Sequence, residues 1–184
     1  ELAESFNKGQ LFVTAHLGNW EFLGYCAQNI TKKDFWALGK PLKSVFFTRL
    51  IKHLRSFLGV LVLWTGKNNF QKKLINIVKK KEWVAFLIDQ KPNLRRGPIV
   101  DFMGYKTEFI AGPAKLALKY NTPIVLAFCL QQGKCRYNVI SQVILDPKSV
   151  FKDVESLTQY FAMVIESNIR KNPEQWCWIY KRWK

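Results

Sequence analysis

The sequence predicts an α/β fold in which a mainly parallel, mixed sheet is flanked by helices. Apolar runs of strand length alternate with longer segments whose apolar residues recur at helical spacing. Towards the C-terminus, two apolar runs lie on either side of the short turn 132–134, which indicates an antiparallel hairpin. Such alternation is typical of helices packed on a parallel sheet, and we expect residues 1–184 to form a single domain.

The first half of the chain contains three predicted strands and three predicted helices. The predicted strands are residues 11–15, 60–64 and 83–88, and the predicted helices are residues 20–29, 42–58 and 68–81. The segment 42–58 is the most clearly amphipathic, because apolar residues recur every three or four positions with lysine and arginine between them. Gly59 ends it.

In the second half, residues 91–105 are predicted to be irregular because Pro92, Gly97, Pro98 and Gly104 interrupt them. A loop of this length inside a compact domain is more often functional than idle. Beyond it, we predict helices at 112–120 and 150–171 and strands at 123–130 and 136–145. The tail, 175–184, is rich in tryptophan and basic residues.

Composition excludes a disordered chain and points to anionic partners. Of the 184 residues 48% are hydrophobic, enough for a substantial core. Twenty-nine Lys and Arg face 13 Asp and Glu, a net charge of +16, which favours nucleic acid, an anionic membrane surface or an acidic protein. A plainer interpretation is that the lysines only solvate an apolar fold.

The four cysteines form no C-x-x-C pair, so we expect reduced thiols, as in a cytosolic protein, and neither a zinc site nor another metal site. No phosphate-binding loop is evident, and we expect no cofactor. No apolar run approaches the roughly 20 residues that span a bilayer. Because the chain has no starting Met, we interpret it as a piece of a longer protein that lacks an N-terminal membrane anchor.

The segment from His16 to Glu21, His-Leu-Gly-Asn-Trp-Glu, follows the first predicted strand directly. Gly18 permits a tight turn and Asn19 is a suitable N-cap for the next helix, so the turn can bring the imidazole and the carboxylate together. A carboxylate fixes the tautomer of a histidine that removes a proton from a hydroxyl. The alternative is a histidine that caps a helix or satisfies a polar group in the core.

No Ser, Thr or Cys nucleophile is indicated, since the sequence has no G-x-S-x-G motif. A histidine–carboxylate dyad without a nucleophile would activate a hydroxyl that the substrate brings. This arrangement suits direct transfer of an acyl group rather than a route through an acyl-enzyme.

Four segments together resemble the bacterial lipid A biosynthesis (lauroyl/myristoyl) acyltransferases, which belong to the H-x4-D/E glycerolipid-type acyltransferases. The segment from His16 to Glu21 is similar to their H-x-G-N-W-E motif, and residues 55–59 resemble an Arg-x-x-x-Gly segment. Asp89-Gln90 followed by residues 100–104 resembles a D-Q … V-x-F-F-G block, and residues 172–184 resemble a P-E-Q-W-x-W-x-H-R-R-W-K ending. The resemblance covers essentially the whole chain.

The resemblance implies a glycerolipid acyltransferase-like fold and a role for each matching residue. His16 would be the general base on the acceptor hydroxyl, and Glu21 would orient and charge it. Substrate-binding residues would be Asn19, Arg55, Asp89, Gln90 and Gly104.

Arg55 and Asp89 fall where the family has a second polar pair, and Arg55 would bind an acceptor phosphate or the oxyanion. The alternatives are a solvated helix cation for Arg55, a capping carboxylate for Asp89 and a structural role for Gln90.

The resemblance also implies partners and a location. The donor would be an acyl chain on acyl carrier protein, an acidic partner, and the acceptor a phosphorylated membrane glycolipid of the lipid A precursor type. We expect an anionic membrane surface at the cytoplasmic face of the bacterial inner membrane, and no nucleic acid. Met103 and Tyr180 depart from the usual Phe and His, which leaves the acyl-chain length and the acceptor open.

Three alternatives remain at this point. In the first, the protein is an acyltransferase whose acceptor is a phosphatidylinositol mannoside or an aminolipid. In the second, it is a nucleic-acid-binding module. In the third, it is a catalytically silent membrane-associated scaffold. Six aromatic residues would touch the lipid interface if they do not belong to the core; these are Phe46, Phe47, Phe57, Trp176, Trp178 and Trp183. The lysines of 72–81 would supply part of the positive field or merely solvate their helix.

Overall fold

The computed structural model describes residues 10–31, 33–66, 68–92, 97–180 and 182–183. Its main sheet has six strands in the order β3-β2-β4-β1-β7-β8. These strands are β1 (Leu11–Thr14), β2 (Phe35–Gly39), β3 (Val60–Trp64), β4 (Trp83–Leu87), β7 (Ile124–Gln131) and β8 (Tyr137–Ile144). All neighbours are parallel except β7 and β8, which pair antiparallel. The predicted mainly parallel, mixed sheet is therefore confirmed.

Helices cover both faces of this sheet. They are α1 (Trp20–Thr31), α2 (Val45–Phe57), α3 (Phe70–Lys79), α4 (Gly112–Tyr120), α5 (Pro147–Val150) and α6 (Val154–Lys171). Buried residues of α3, α4 and α6 pack on one face, among them Leu74, Ala114 and Phe161. Leu23 and Ala27 of α1 pack on the other face. The two apolar layers hold the central strands β1 and β4 rigidly between them.

The sequence prediction missed strand β2 and a separate hairpin. Strand β2 has the sequence Phe-Trp-Ala-Leu-Gly, in which Ala and Gly have low strand propensity, and four of its five residues are only partly buried. The hairpin consists of β5 (Ile99–Phe102) and β6 (Tyr105–Glu108) and lies partly within the segment predicted to be irregular. Its turn is formed by Met103 and Gly104, whose φ angles of 56° and 82° are both positive, as a tight two-residue hairpin turn requires.

The predicted helix 150–171 is wrong at its start. Helix α6 begins after Asp153, whose side chain accepts a hydrogen bond of 2.8 Å from the Ser156 backbone N–H. The Ser156 hydroxyl completes a capping box by accepting from the Asp153 N–H. Hydrogen bonds from Ser156 lower the pKa of the Asp153 carboxyl, and the backbone N–H has a larger effect than the side chain. This cap separates α6 from the short helix α5.

Gly18 lies where three parts of the chain meet. Its N–H donates to the Gln175 carbonyl (2.9 Å), and the next N–H, of Asn19, donates to the Cys129 carbonyl (2.8 Å). Gly18 has a φ of +65°, and a Cβ atom there would lie 2.1 Å from the Cys129 carbonyl oxygen. Only glycine therefore permits strand β7 and the C-terminal segment to approach the turn that follows His16.

We expect Gly18→Ala to lower the free energy of unfolding by about 2 kcal/mol or more, because the methyl group overlaps a backbone carbonyl and φ is positive. Gly133→Ala is the matched control: its φ is +82°, but no heavy atom lies within 4 Å of the added Cβ. It should cost only about 1 kcal/mol, the strain of the left-handed conformation. Urea unfolding followed by circular dichroism measures both; equal losses would contradict the steric account.

Candidate active site

His16 and Asp89 meet because their strands are neighbours in register. Strands β1 and β4 are parallel, with Thr14 opposite Leu87. Two residues further along each chain are His16 and Asp89, and the His16 Nδ1 lies 2.8 Å from the Asp89 Oδ1. Parallel strands deliver their carboxyl ends to one edge of a sheet, where ligand sites of α/β folds commonly lie.

The Asp89 carboxylate is 3% exposed and receives three donors. Besides the imidazole, its Oδ2 accepts from the His16 backbone N–H (3.1 Å) and from the Trp176 indole N–H (3.0 Å). A buried carboxylate needs such partners, because burial without them would cost several kcal/mol. These three hydrogen bonds fix the orientation of the carboxylate and, through it, of the imidazole.

The predicted contact between His16 and Glu21 is wrong. Glu21 lies in the first turn of α1 and accepts two hydrogen bonds from Arg55 in the last turn of α2, the one from Nε measuring 3.0 Å. The acid on the imidazole is Asp89 instead. The sequence suggested the nearer carboxylate, but the parallel register of β1 and β4 brings the more distant one to the histidine, and the Glu21 carboxylate pairs with a guanidinium.

Arg55 and Asp89 are likewise not each other's partners. The bidentate pair of Arg55 with Glu21 leaves the guanidinium only 18% exposed, whereas the carboxylate is 47% exposed. Arg55 and Glu21 line one small cavity beneath α1, and Arg55 also lines the larger cleft beside His16. Within the described residues, no hydrogen bond engages the Arg55 Nη1.

The second imidazole nitrogen faces the cleft. His16 Nε2 lies 3.3 Å from the side-chain nitrogen of Gln90, and His16 is 21% exposed. Because Nδ1 faces a carboxylate, it carries the hydrogen, and Nε2 accepts from the Gln90 amide. An accepting Nε2 at a solvent-reachable position is what a general base requires. The ring of Trp20 packs edge-on against the imidazole at 5.0 Å.

A cleft of about 590 Å³ opens beside His16. Its volume lies within the range of about 300–1,000 Å³ that is usual for ligand pockets. Gln90, Arg55 and Lys40 provide polar groups, and Tyr180 borders it. Most of the wall is apolar, formed by Leu38, Leu42, Ile51, Trp64, Phe70, Leu74, Phe86, Leu87 and Ile110. Sequence periodicity identified several of these as apolar but could not show that they face one cavity.

The other two predicted substrate-binding residues have visible structural roles. The Asn19 side chain accepts from the Phe22 N–H (2.9 Å), which confirms it as the N-cap of α1. Gly104 forms the turn of the β5–β6 hairpin and is not among the residues that line the cleft. Substrate binding by either residue stays a prediction.

Two of the four cysteines, Cys26 and Cys129, have thiols that are disfavoured as nucleophiles. Burial raises the pKa of the Cys129 thiol, and Cys26 nearby raises it further; burial also raises the pKa of Cys26. A raised pKa keeps a thiol protonated and unreactive at neutral pH. Across the part of the chain that the structure describes, no three His, Cys, Asp or Glu side chains converge as metal ligands would.

The C-terminal tail closes the site from behind, a role the sequence did not reveal. Besides the Trp176 bond to Asp89, the Cys177 N–H donates to the His16 carbonyl (2.9 Å). Arg182 is 2% exposed, donates to the Glu108 carbonyl (2.6 Å) and lies over the Phe109 ring at 4.6 Å. Burial lowers the pKa of Arg182. The tail's similarity to a family ending was the only signal for this role.

Comparison with known proteins identifies the family. A model of the family described as bacterial lipid A biosynthesis acyltransferase matches residues 1–184. The chain belongs to this family. The resemblance seen in its four motifs is thereby confirmed over the full length.

The chain is also similar to curated proteins that are named as acyltransferases. The chain is 28% identical over 179 residues to the phosphatidylinositol mannoside acyltransferase of Mycolicibacterium smegmatis, covering 96% of this chain and 57% of that protein. It is 26% identical over 177 residues to the protein of the same name from Mycobacterium tuberculosis, covering 95% of this chain and 54% of that protein. The chain thus spans about half the length of the curated relatives it matches.

None of the helices described is both long enough and apolar enough to cross a bilayer.

We expect His16 to be the Nδ1–H tautomer in the neutral form, because Nδ1 faces the Asp89 carboxylate. Long-range ¹H–¹⁵N correlation spectra of the imidazoles measure this directly. Asp89→Leu should shift His16 towards the Nε2–H form, which dominates in free histidine. The exposed His53 on α2 is an internal control that should not change. A His16 that stays Nδ1–H in the variant would show that Asp89 does not set the tautomer.

Proposed function

We propose that this protein is an O-acyltransferase that moves a fatty acyl chain from an acyl thioester on acyl carrier protein to a hydroxyl of a membrane glycolipid. The observation that carries the proposal is the buried Asp89 carboxylate bound to His16 Nδ1, with Nε2 at the head of a largely apolar cleft. Family membership supports the reaction class.

In the reaction, His16 Nε2 removes the proton of the acceptor hydroxyl while that oxygen attacks the thioester carbonyl carbon. The imidazolium that forms is stabilised by the Asp89 carboxylate. When the tetrahedral intermediate collapses, the carbon–sulfur bond breaks and the departing thiolate takes the proton from Nε2. An ester and a thiol result, and His16 returns to its starting state without a covalent enzyme intermediate.

Glu21 and Arg55 have a different part in this proposal from the one that the spacing suggested. The carboxylate holds the guanidinium by Nε and Nη2, so that Nη1 is left for a substrate oxygen at the cleft. A guanidinium in that position stabilises the oxyanion of the intermediate or a phosphate of the acceptor. Glu21 is then a positioning residue for Arg55.

The acyl chain would lie along the apolar wall of the cleft. Side chains from strand ends and from α2 and α3 line it, with Ile51 and Leu74 on two of the helices. Burying a methylene group against such a wall contributes about 0.8 kcal/mol, so a long chain would bind strongly there. The length of the chain is set by how far this wall extends from His16.

The acidic carrier protein would bind the outer face of α3. The inner side of this helix is buried through Leu74, Ile77 and Val78. Its outer side carries Lys72, Lys73, Lys79 and Lys80, all exposed. A face of this kind attracts an acidic protein mainly through long-range electrostatics, so the association should weaken with added salt.

For the acceptor, we propose a phosphorylated glycolipid of the lipid A precursor type at the cytoplasmic face of the bacterial inner membrane. The curated relatives are named phosphatidylinositol mannoside acyltransferases, which favours a phosphatidylinositol mannoside as a second candidate. Mass spectrometry of lipids from cells with and without the protein distinguishes the two. The added mass identifies the acyl chain, and the lipid that changes identifies the acceptor.

We expect His16→Ala to lower turnover by at least ~10²-fold, the scale of general acid–base catalysis. Asp89→Asn should lower it by a similar factor, since the amide does not hold the productive tautomer. Transfer of labelled acyl groups from acyl carrier protein to a detergent-dispersed acceptor measures these effects. His53→Ala, an exposed histidine on α2, is the matched control and should leave turnover unchanged.

We expect Glu21→Gln to be milder than either change, because Glu21 acts on the substrate only through Arg55. Arg55→Met should reduce turnover more than Glu21→Gln, since it removes the group that contacts the substrate oxygen. The same transfer assay measures both variants. A Glu21→Gln loss as large as that of His16→Ala would contradict the assignment of the acid role to Asp89.

A further inference from the structure

Helix α2 leaves its apolar face uncovered. None of its residues is buried. At 100° per residue, five large apolar side chains share one side of the helix; they are Phe46, Phe47, Leu50, Leu54 and Phe57. All five are exposed, and Phe46 and Phe57 are 70% and 86% exposed. Contiguous apolar surface of this kind marks an interaction site.

The same helix lies in the most one-sidedly charged part of the chain. From residue 35 to residue 81 there are 11 Lys and Arg but no Asp or Glu. On α2 itself, Arg49 borders the apolar face and Lys43 precedes the helix, whereas Lys52 lies on the opposite side. An exposed apolar stripe in a segment with many cations and no carboxylates is the pattern of a helix that lies in the plane of an anionic membrane interface.

Helix α2 also forms part of the cleft. Ile51 and Arg55 line it, and Leu42 before the helix does so too. Their side of the helix adjoins the uncovered apolar face, which begins at Leu54 and Phe47 about 60° away around the helix axis. A surface that binds the apolar face would therefore lie directly beside the mouth of the cleft.

We propose that the uncovered face of α2 docks on an anionic lipid bilayer. The five apolar side chains enter the boundary between headgroups and acyl chains, and Lys43 and Arg49 contact the lipid phosphates. The cleft mouth then opens onto the bilayer, so a lipid acceptor reaches His16 without leaving it for water. This proposal rests on the proposed function for the nature of the acceptor, but the docking surface rests on α2 alone.

Other occupants fit these observations less well. A second copy of the chain would bring two strongly cationic surfaces together, which like-charge repulsion opposes. Nucleic acid would engage the cations but leave the phenyl and leucyl groups in water. An acidic protein has a purely charged surface available on α3, whereas on α2 the apolar groups dominate the exposed side.

Vesicle flotation tests the surface without any substrate. The protein should float with vesicles of phosphatidylcholine and phosphatidylglycerol, and much less with phosphatidylcholine alone. Phe46→Ser with Phe57→Ser should lower the partition coefficient at least ~10-fold, because two exposed phenyl groups no longer enter the interface. Ile99→Ser with Val150→Ser is the matched control: both residues are exposed, lie outside α2 and should have no effect.

The charges are tested separately. Lys43→Gln with Arg49→Gln should weaken binding to the anionic vesicles by about fivefold per charge and leave the weak binding to neutral vesicles unchanged. Lys148→Gln with Lys152→Gln removes two exposed lysines elsewhere and is the control. Added salt should reduce wild-type binding in parallel with the charge variants.

Several results would overturn the proposal. These are wild-type protein that does not float with anionic vesicles, or α2 variants that float as well as wild type. A dimer abolished by the two Phe→Ser changes in sedimentation velocity would assign the face to a second copy. Carrier-protein affinity lost in those variants, with vesicle binding intact, would assign it to the donor. An inactive protein that still docks through α2 would overturn the proposed function alone, and an active one that ignores α2 would overturn only the docking.

Discussion

The site depends on one buried carboxylate and the three hydrogen bonds that it accepts. Asp89 binds the imidazole of His16, the backbone N–H of His16 and the indole of Trp176. The carboxylate and its partners come from three parts of the fold: Asp89 follows β4, His16 follows β1 and Trp176 lies in the C-terminal segment. Because an unpaired buried charge is so unfavourable, the position of each element is coupled to the other two. The geometry of the imidazole thus depends on elements that are far apart in the sequence.

A second ion pair, between Glu21 and Arg55, fixes the other side of the cleft. It ties the first turn of α1 to the last turn of α2, and so links the turn that follows His16 to a helix that lines the cleft. The two carboxylates have separate partners: the buried one binds the histidine and the half-exposed one binds the arginine. In the proposed function, this division lets one cleft hold a proton acceptor and an anion-stabilising cation without the two competing for the same partner.

The sequence predicted the sheet class and most element positions because the buried strands β1, β4 and β7 are continuous apolar runs between helices. Strand β2 escaped because its sequence includes Ala and Gly and most of it is only partly buried, and the break before α6 because it rests on a single capping box. His16 and the residues of both ion pairs were found by motif. Their pairing was not, because it depends on which strands are neighbours and on how the helices pack, and β1 and β4 are far apart in the sequence. The burial of Trp176 against Asp89 is likewise a long-range contact, invisible in local sequence.

The sequence separation of the carboxylate's partners has a consequence for synthesis. Asp89 is 73 positions from His16 and 87 from Trp176. Strands β1 and β4 can pair soon after Asp89 has left the ribosome, but the Trp176 indole arrives only 87 residues later. A nascent chain whose end lies between these two positions lacks the third donor. The orientation of the Asp89 carboxylate, and with it that of the His16 imidazole, is therefore completed only when Trp176 has emerged.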